Sequence, residues 1–226
     1  MRLKDILGLK YPDEFIIKFF FKERLFENVG NVLELGCANG NNLSLFYNFG
    51  WNVCGVDIDN QGIDWANNNY QLYKKEINGK NISAFYVNDM INYLKKNTFK
   101  PFDVLLLPSS IYYLEKGKIE ELFSLIKEKH ILKPGGLMFL RIRTTRDYRN
   151  KIGRKLNKSS RLMTTNETNE KNCIITFFTL HSFIKLLDNF FYTKDLKVMN
   201  SNVENFVHGK LIFNSDIIIW GNLQNK

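Results

Sequence analysis

The sequence predicts an α/β fold, a mostly parallel sheet with helices on both faces. Three observations carry that expectation. Short apolar runs alternate with stretches of helical periodicity, the pattern of β-α-β units with right-handed crossovers. One run, Phe102–Leu107, is dominated by apolar residues, as a central parallel strand covered on both faces should be. A third run, Val32-Leu33-Glu34-Leu35, enters a tight small-residue turn, Gly36-Cys37-Ala38-Asn39-Gly40, and then a polar helix start. Such a strand–turn–helix brings bare backbone close to a ligand at a helix N-terminus.

In chain order, Pro12-Asp13-Glu14 starts a helix over about 12–28 whose apolar side is Phe15, Ile16, Phe19, Phe20 and Leu25. Strand one is Val32–Leu35, with its helix over Asn41–Phe49. Strand two, Val53–Val56, is followed by a helix over 61–77 with Ile63, Ala66, Tyr70 and Tyr73 on one face. Strand three is Ala84–Val87, strand four Phe102–Leu107, and a helix spans 115–130. Lys133-Pro134-Gly135-Gly136 reads as a turn into strand five, Leu137–Ile142. A long polar, basic insertion follows, at about 143–176. A helix over 179–191 and strands near 195–200 and 211–220 close the sheet, joined by the tight Val207-His208-Gly209-Lys210 connection.

The 226 residues suit one domain, with no Gly/Ser/Pro-rich linker and no repeat. The start lacks the apolar core of a signal peptide, and FIIKFFF is too short to span a bilayer, so no membrane insertion is expected. Three cysteines, Cys37, Cys54 and Cys173, read as reduced residues of a cytoplasmic protein. The net charge of +9 is concentrated: residues 141–161 hold nine basic residues against one acid, Asp147. The other 205 residues hold 23 basic and 22 acidic groups. A nucleic-acid face would draw cations from several elements, so the cluster favours a compact anionic ligand, with a solvated basic loop as the plain alternative.

About seventeen residues past the turn, strand two ends in Asp57, placed to accept both hydroxyls of a ribose. A dinucleotide site has no use for an acid just before its turn, whereas Glu34 suits a ligand carrying an ammonium or sulfonium group. The series VLELGCANG…VCGVDID…VNDM…FDVLLLPSSIYYL…LKPGGLMFLRIR resembles, in order and spacing, the motifs of class I S-adenosylmethionine-dependent methyltransferases. It departs from their pattern at Ala38, where the middle glycine stands. The resemblance implies a Rossmann-like seven-stranded sheet with the last strand antiparallel, with S-adenosylmethionine as cofactor and S-adenosylhomocysteine as product. It places Glu34, Gly36, Cys37, Ala38, Asn39, Gly40 and Asn42 at the methionine end of the cofactor, with amides of the turn facing it. It places Asp57 at the ribose, Ile58 against adenine, and Asn88, Asp89 and Met90 at the adenine edge, with Pro108 and Ser109 closing the site. Tyr11, in a YP-x-E segment, would cover the cofactor's amino-acid end. Helix capping is the plain reading of Asp57 and Asp89.

The acceptor side is less specified. Tyr112 and Tyr113 would line it or pack in the core. Arg141, Arg143, Arg146, Tyr148 and Arg149 would grip a small anionic acceptor through bidentate contacts to phosphate or carboxylate. LPSS after strand four is not the Asn/Asp-Pro-Pro-Tyr/Phe pattern of nucleobase amino-group methyltransferases. An oxygen acceptor benefits from a base; His208 ranks first and His181 second, with a packing or surface histidine the plainer reading of each, and His130 lies on the wrong edge. The insertion loosely resembles methyltransferases of bacterial surface-polysaccharide pathways, which implies a phosphorylated or nucleotide-linked sugar. The alternatives are an RNA or other nucleic-acid methyltransferase using the 141–161 cluster, and an aminopropyltransferase-like enzyme. No metal is expected, since no His/Asp/Glu set has ligand spacing on the functional edge.

Overall fold

Asp13 sets where the first helix begins. Its side chain accepts the Phe15 N–H at 2.8 Å, and α1 runs Glu14–Lys22. The structure is a computed structural model describing residues 3–77, 80–96, 98, 100–164, 170–193, 195–207, 209–222 and 224–225. α1 buries Phe15, Ile16, Phe19 and Phe20 along one face. Each such side chain is worth about 1.5–3 kcal/mol, so packing rather than propensity holds so short a helix. The helix expected over 12–28 stops at Lys22, because Arg24 takes a left-handed φ of 55° and Leu25–Glu27 forms a 3-10 turn.

The next elements are β1 (Asn31–Leu35), α2 (Asn41–Asn48), β2 (Asn52–Asp57), α3 (Asn60–Ile77), β3 (Ser83–Val87), α4 (Met90–Lys96), β4 (Phe102–Leu107), α5 (Lys116–Glu128) and β5 (Leu132–Thr144). The insertion region holds α6 (Arg149–Ile152), β6 (Arg154–Lys155), β7 (Ser160–Leu162) and β8 (Ile174–Phe178). After it come α7 (Leu180–Leu187), β9 (Phe191–Tyr192), β10 (Lys197–Val207), β11 (Lys210–Asn222) and β12 (Gln224–Asn225).

Strands β3-β2-β1-β4-β5 pair in parallel. β11 then runs antiparallel to β5, and β10 pairs with β11. These are the seven expected strands, with the last one antiparallel. Alternation along them sorts the core. Leu33, Leu35, Leu105 and Leu107 face α4, α5 and α7, while Val32, Val104 and Leu106 face α1, α2 and α3. Helices therefore cover both faces. None of the helices among the described residues is long and apolar enough to cross a membrane.

Two regions differ from expectation. The segment read as a polar insertion adds three strands, because Ile174–Phe178 is apolar and β-branched enough to extend the sheet. β8 pairs with the last two residues of β5, β7 with β8, and β6 with β7. The Lys133–Gly136 turn lies inside β5. Between the pairs Phe102↔Leu132 and Val104↔Leu137 the strand bulges, and Gly135, at φ 82°, absorbs the extra residues. At the other end of β5, Arg143 faces Asp216 of β11, so the β10–β11 hairpin projects past the carboxyl edge of the sheet.

Candidate active site

Four segments meet at the carboxyl ends of β1, β2, β3 and β4: the Gly36–Gly40 turn, Asp57-Ile58, Asn88–Met90 and Pro108–Ser110. Gly36 has φ 86°, and a Cβ there would lie 2.3 Å from the Ser110 Cβ, so only glycine lets β1 turn against the β4 loop. The Ser110 hydroxyl donates to the Leu35 carbonyl and closes that contact. Ser110, buried and polar, is a site residue that sequence reasoning missed.

The turn is not a ring of open amides. Gly36 and Cys37 both donate to the Val56 carbonyl (2.7 and 3.1 Å), Gly40 donates to the Cys37 carbonyl, and Ala38 donates to Asp57 Oδ2 at 2.7 Å. The expectation that these amides face a cofactor is thereby corrected: they brace the turn, which meets a ligand as close, bare backbone. Ala38 sits at φ 45°, a conformation that costs a non-glycine residue on the order of 1 kcal/mol, which explains why glycine is the usual occupant.

Glu34 is fully buried. Its Oε1 accepts from Asn42 Nδ2 at 2.7 Å, and its Oε2 has no hydrogen-bond partner among the described residues. Burial, opposed by the Asn42 bond and reinforced by Asp57 and Asp13, pushes its pKa up to about 8. An unsatisfied buried carboxylate oxygen costs about 1–3 kcal/mol or more, and a cation arriving at Oε2 removes that cost. The positive methionine end of S-adenosylmethionine fits this requirement.

Each oxygen of Asp57 holds one amide, Asp59 N–H on Oδ1 at 2.9 Å and Ala38 N–H on Oδ2. A carboxylate accepts about four hydrogen bonds, so two positions suit ribose hydroxyls. Ile58, beside it, is 76% exposed, an open apolar surface of the kind an adenine covers. Asn88 N–H donates to the Asp57 carbonyl, and Asp89 Oδ1 caps α4 through the Asn92 N–H at 2.9 Å. Capping uses one Asp89 oxygen and leaves the other for an adenine amino group. Met90 opens α4 and packs on the core. Ser109 donates to the Pro108 carbonyl.

Asparagines strap the N-terminal segment to this turn. Asn39 donates to the Leu7 and Leu9 carbonyls, Asn69 to Leu7, and Asn41 to the Tyr11 carbonyl. Asn42 Oδ1 accepts from Asp13 N–H. The Asn39 and Asn42 side chains thus face neighbouring protein, and Tyr11 stands 68% exposed at the mouth of the site.

The acceptor side differs from the charge count. Arg143 and Arg149 are buried within a set of acids. Arg143 bonds Asp216 (3.3 Å), Glu170 (3.1 Å) and the Tyr112 hydroxyl (3.2 Å), with its guanidinium 4.5 Å from the Tyr112 ring. Arg149 bonds Asp147 (3.1 Å), Glu170 and Asn214 (3.0 Å). Arg141 bridges Asp13 (2.9 Å) and Asp216 (2.7 Å). Burial works against the charged form of Arg143, but Tyr112, Asp216, Asp147 and Glu170 outweigh it and raise its pKa. Three arginines thus meet four acids, and the expectation that Arg141, Arg143 and Arg149 grip an acceptor is corrected: they hold the protein together. Tyr112 is buried in this network. The Tyr113 hydroxyl donates to Glu170, and burial together with Tyr112 and Glu170 pushes its pKa above the ordinary value, so it does not serve as a base.

Arg146 is the expected acceptor arginine that stays exposed, its guanidinium 5.3 Å from the Phe213 ring. It lines a cavity of 790 Å³ between the α6 region and the start of β11, together with Tyr148, Lys151 and Lys210. His181 is exposed in the first turn of α7. His208 lies outside the described residues. No group of three or more His, Cys, Asp or Glu side chains able to hold a metal ion occurs among the described residues.

Residues 10–193 match the family described as "Methyltransferase domain". None of the curated proteins matches the chain. Among solved structures, an S-adenosylmethionine-dependent methyltransferase from Methanosarcina mazei is similar with a TM-score of 0.65 at 19% identity, covering 90% of this chain and 98% of its own. One from Clostridium acetobutylicum has a TM-score of 0.61 at 16% identity, over 94% and 92%. The 1,6-didemethyltoxoflavin-N1-methyltransferase of Burkholderia thailandensis, solved with S-adenosylhomocysteine, has 0.57 at 13% identity, over 91% and 76%. At such identities the structures speak for the fold, and the family match covers most of the chain: this protein belongs to the methyltransferase-domain family.

Proposed function

We propose that this methyltransferase, whose methyl donor is S-adenosylmethionine, acts on the oxygen of a small anionic acceptor, a phosphorylated or nucleotide-linked sugar-type compound. The cofactor supplies an electrophilic methyl group. The protein's residues do the rest: Glu34 offers its unpaired oxygen to the positive end of the donor, Asp57 holds the ribose, and the turn fixes the approach. In-line positioning accounts for most of such a transfer. His208 takes the proton of the acceptor hydroxyl. Three free cysteines suit a reducing cytoplasm.

One observation carries the acceptor reading. After three arginines are neutralised inside, Arg146 and Lys151 still line an open cavity, at the edge where β5 ends, that has no acid among its described lining residues. The test is release of S-adenosylhomocysteine on incubating the enzyme and S-adenosylmethionine with a panel of sugar phosphates and nucleotide sugars. Turnover confined to uncharged members of a matched panel overturns the reading.

The nucleic-acid alternative rests on the exposed Arg154, Lys155 and Lys158 of the β6–β7 hairpin. It predicts RNA binding that falls by about one logarithmic unit per unit of log salt for each phosphate neutralised. A gel shift over a salt series decides it.

A further inference from the structure

The cavity between α6 and β11 has two unlike walls. Arg146, Lys151 and Lys210 bring three cations to it. Ile152, Leu211 and Phe213 form an apolar surface beside them, with Ile152 and Leu211 39% and 54% exposed. The Arg146 guanidinium lies 5.3 Å from the centroid of the Phe213 ring, a cation–π contact that places the cation beside the apolar wall. Tyr148 lines the same cavity, and its buried hydroxyl has no hydrogen-bond partner among the described residues. At 790 Å³ the space is that of a small-molecule site. A bare sugar phosphate would use the cations and leave the apolar wall in water.

We propose that this cavity binds a nucleoside diphosphate group, its two phosphates on Arg146 and Lys151 and its base against the apolar wall. The inference rests on the anionic-acceptor reading and narrows it: the acceptor carries its methylated sugar on a nucleotide handle. The cavity lies outside the network of Arg143, Arg149 and Glu170, so recognition of the handle is separable from the stability of the fold.

The test is calorimetry on the full chain saturated with S-adenosylhomocysteine, which keeps nucleotides off the cofactor site. Uridine, cytidine, guanosine and thymidine diphosphates are compared with inorganic pyrophosphate. At least one diphosphate should bind roughly tenfold tighter than pyrophosphate, about the worth of one stacked base. Arg146→Gln should weaken both the nucleotide and pyrophosphate by about tenfold. Leu211→Ser, at an exposed position, should weaken the nucleotide several-fold and leave pyrophosphate unchanged. Unaltered S-adenosylhomocysteine affinity shows that each variant is folded. Pyrophosphate binding as tightly as every nucleotide overturns the nucleotide handle and leaves the anionic acceptor standing. Binding of neither overturns both.

Discussion

On the donor half of the carboxyl edge, one buried acid, Glu34, keeps an oxygen with no partner among the described residues. On the acceptor half, Asp147, Glu170 and Asp216 are equally buried, yet arginines, a hydroxyl or backbone amides meet them. Both regions concentrate charge inside the protein. Among the described residues, only the first leaves an oxygen of a buried acid without a partner. A buried charge that its own fold satisfies is architecture; one left unsatisfied marks where a ligand belongs.

The largest expected effect concerns the acceptor half. His208→Ala should lower kcat by about 10²–10⁴ while S-adenosylhomocysteine affinity holds. Turnover within a few-fold of wild type would leave positioning alone to drive transfer.

Next comes the contrast between buried and exposed arginines. Arg149→Ala removes a buried cation from both Asp147 and Glu170, leaving them Arg143, the Tyr113 hydroxyl and backbone amides, and should cost about 3–5 kcal/mol in urea unfolding. Arg146→Gln should stay within about 0.5 kcal/mol and act on the acceptor KM. Equal stability losses would erase the distinction between the two kinds of arginine.

That distinction was not legible in the sequence. Nine basic residues against one acid in 141–161 is a true count, but Arg141 finds Asp13 128 positions away and Asp216 75 positions away, and Arg143 finds Glu170 27 positions on. No local pattern announces such pairings. The donor side was legible because its parts are contiguous: a strand, its turn and the acid ending the next strand each reveal themselves within ten residues. Even there the amides of the turn went to Val56, Cys37 and Asp57, which only the packing of β1 on β2 could reveal. The strands β6–β8 were missed for a related reason, since Ile174–Phe178 stood at the border of a polar stretch and its partner, the end of β5, lies 34 residues upstream.

On the donor half, Asp57→Ala should weaken S-adenosylhomocysteine binding by about 1.5–3 kcal/mol, the worth of hydrogen bonds to a charged group. Unchanged affinity in a folded variant would move the ribose elsewhere.

The central claim is that Glu34 waits, buried and half-paired, for a cation. Because burial raises its pKa to about 8, the acid is largely protonated at neutral pH and must ionise when the cation arrives. The affinity for S-adenosylhomocysteine, whose ammonium group supplies that cation, should therefore rise with pH and level off near pH 8, by up to tenfold per unit below it. Calorimetry at pH 6, 7 and 8 on the wild type and Glu34→Gln measures this directly. The account predicts the rise in the wild type and a flat, weaker affinity in Glu34→Gln. A pH-independent wild type, or the same rise in both proteins, contradicts it.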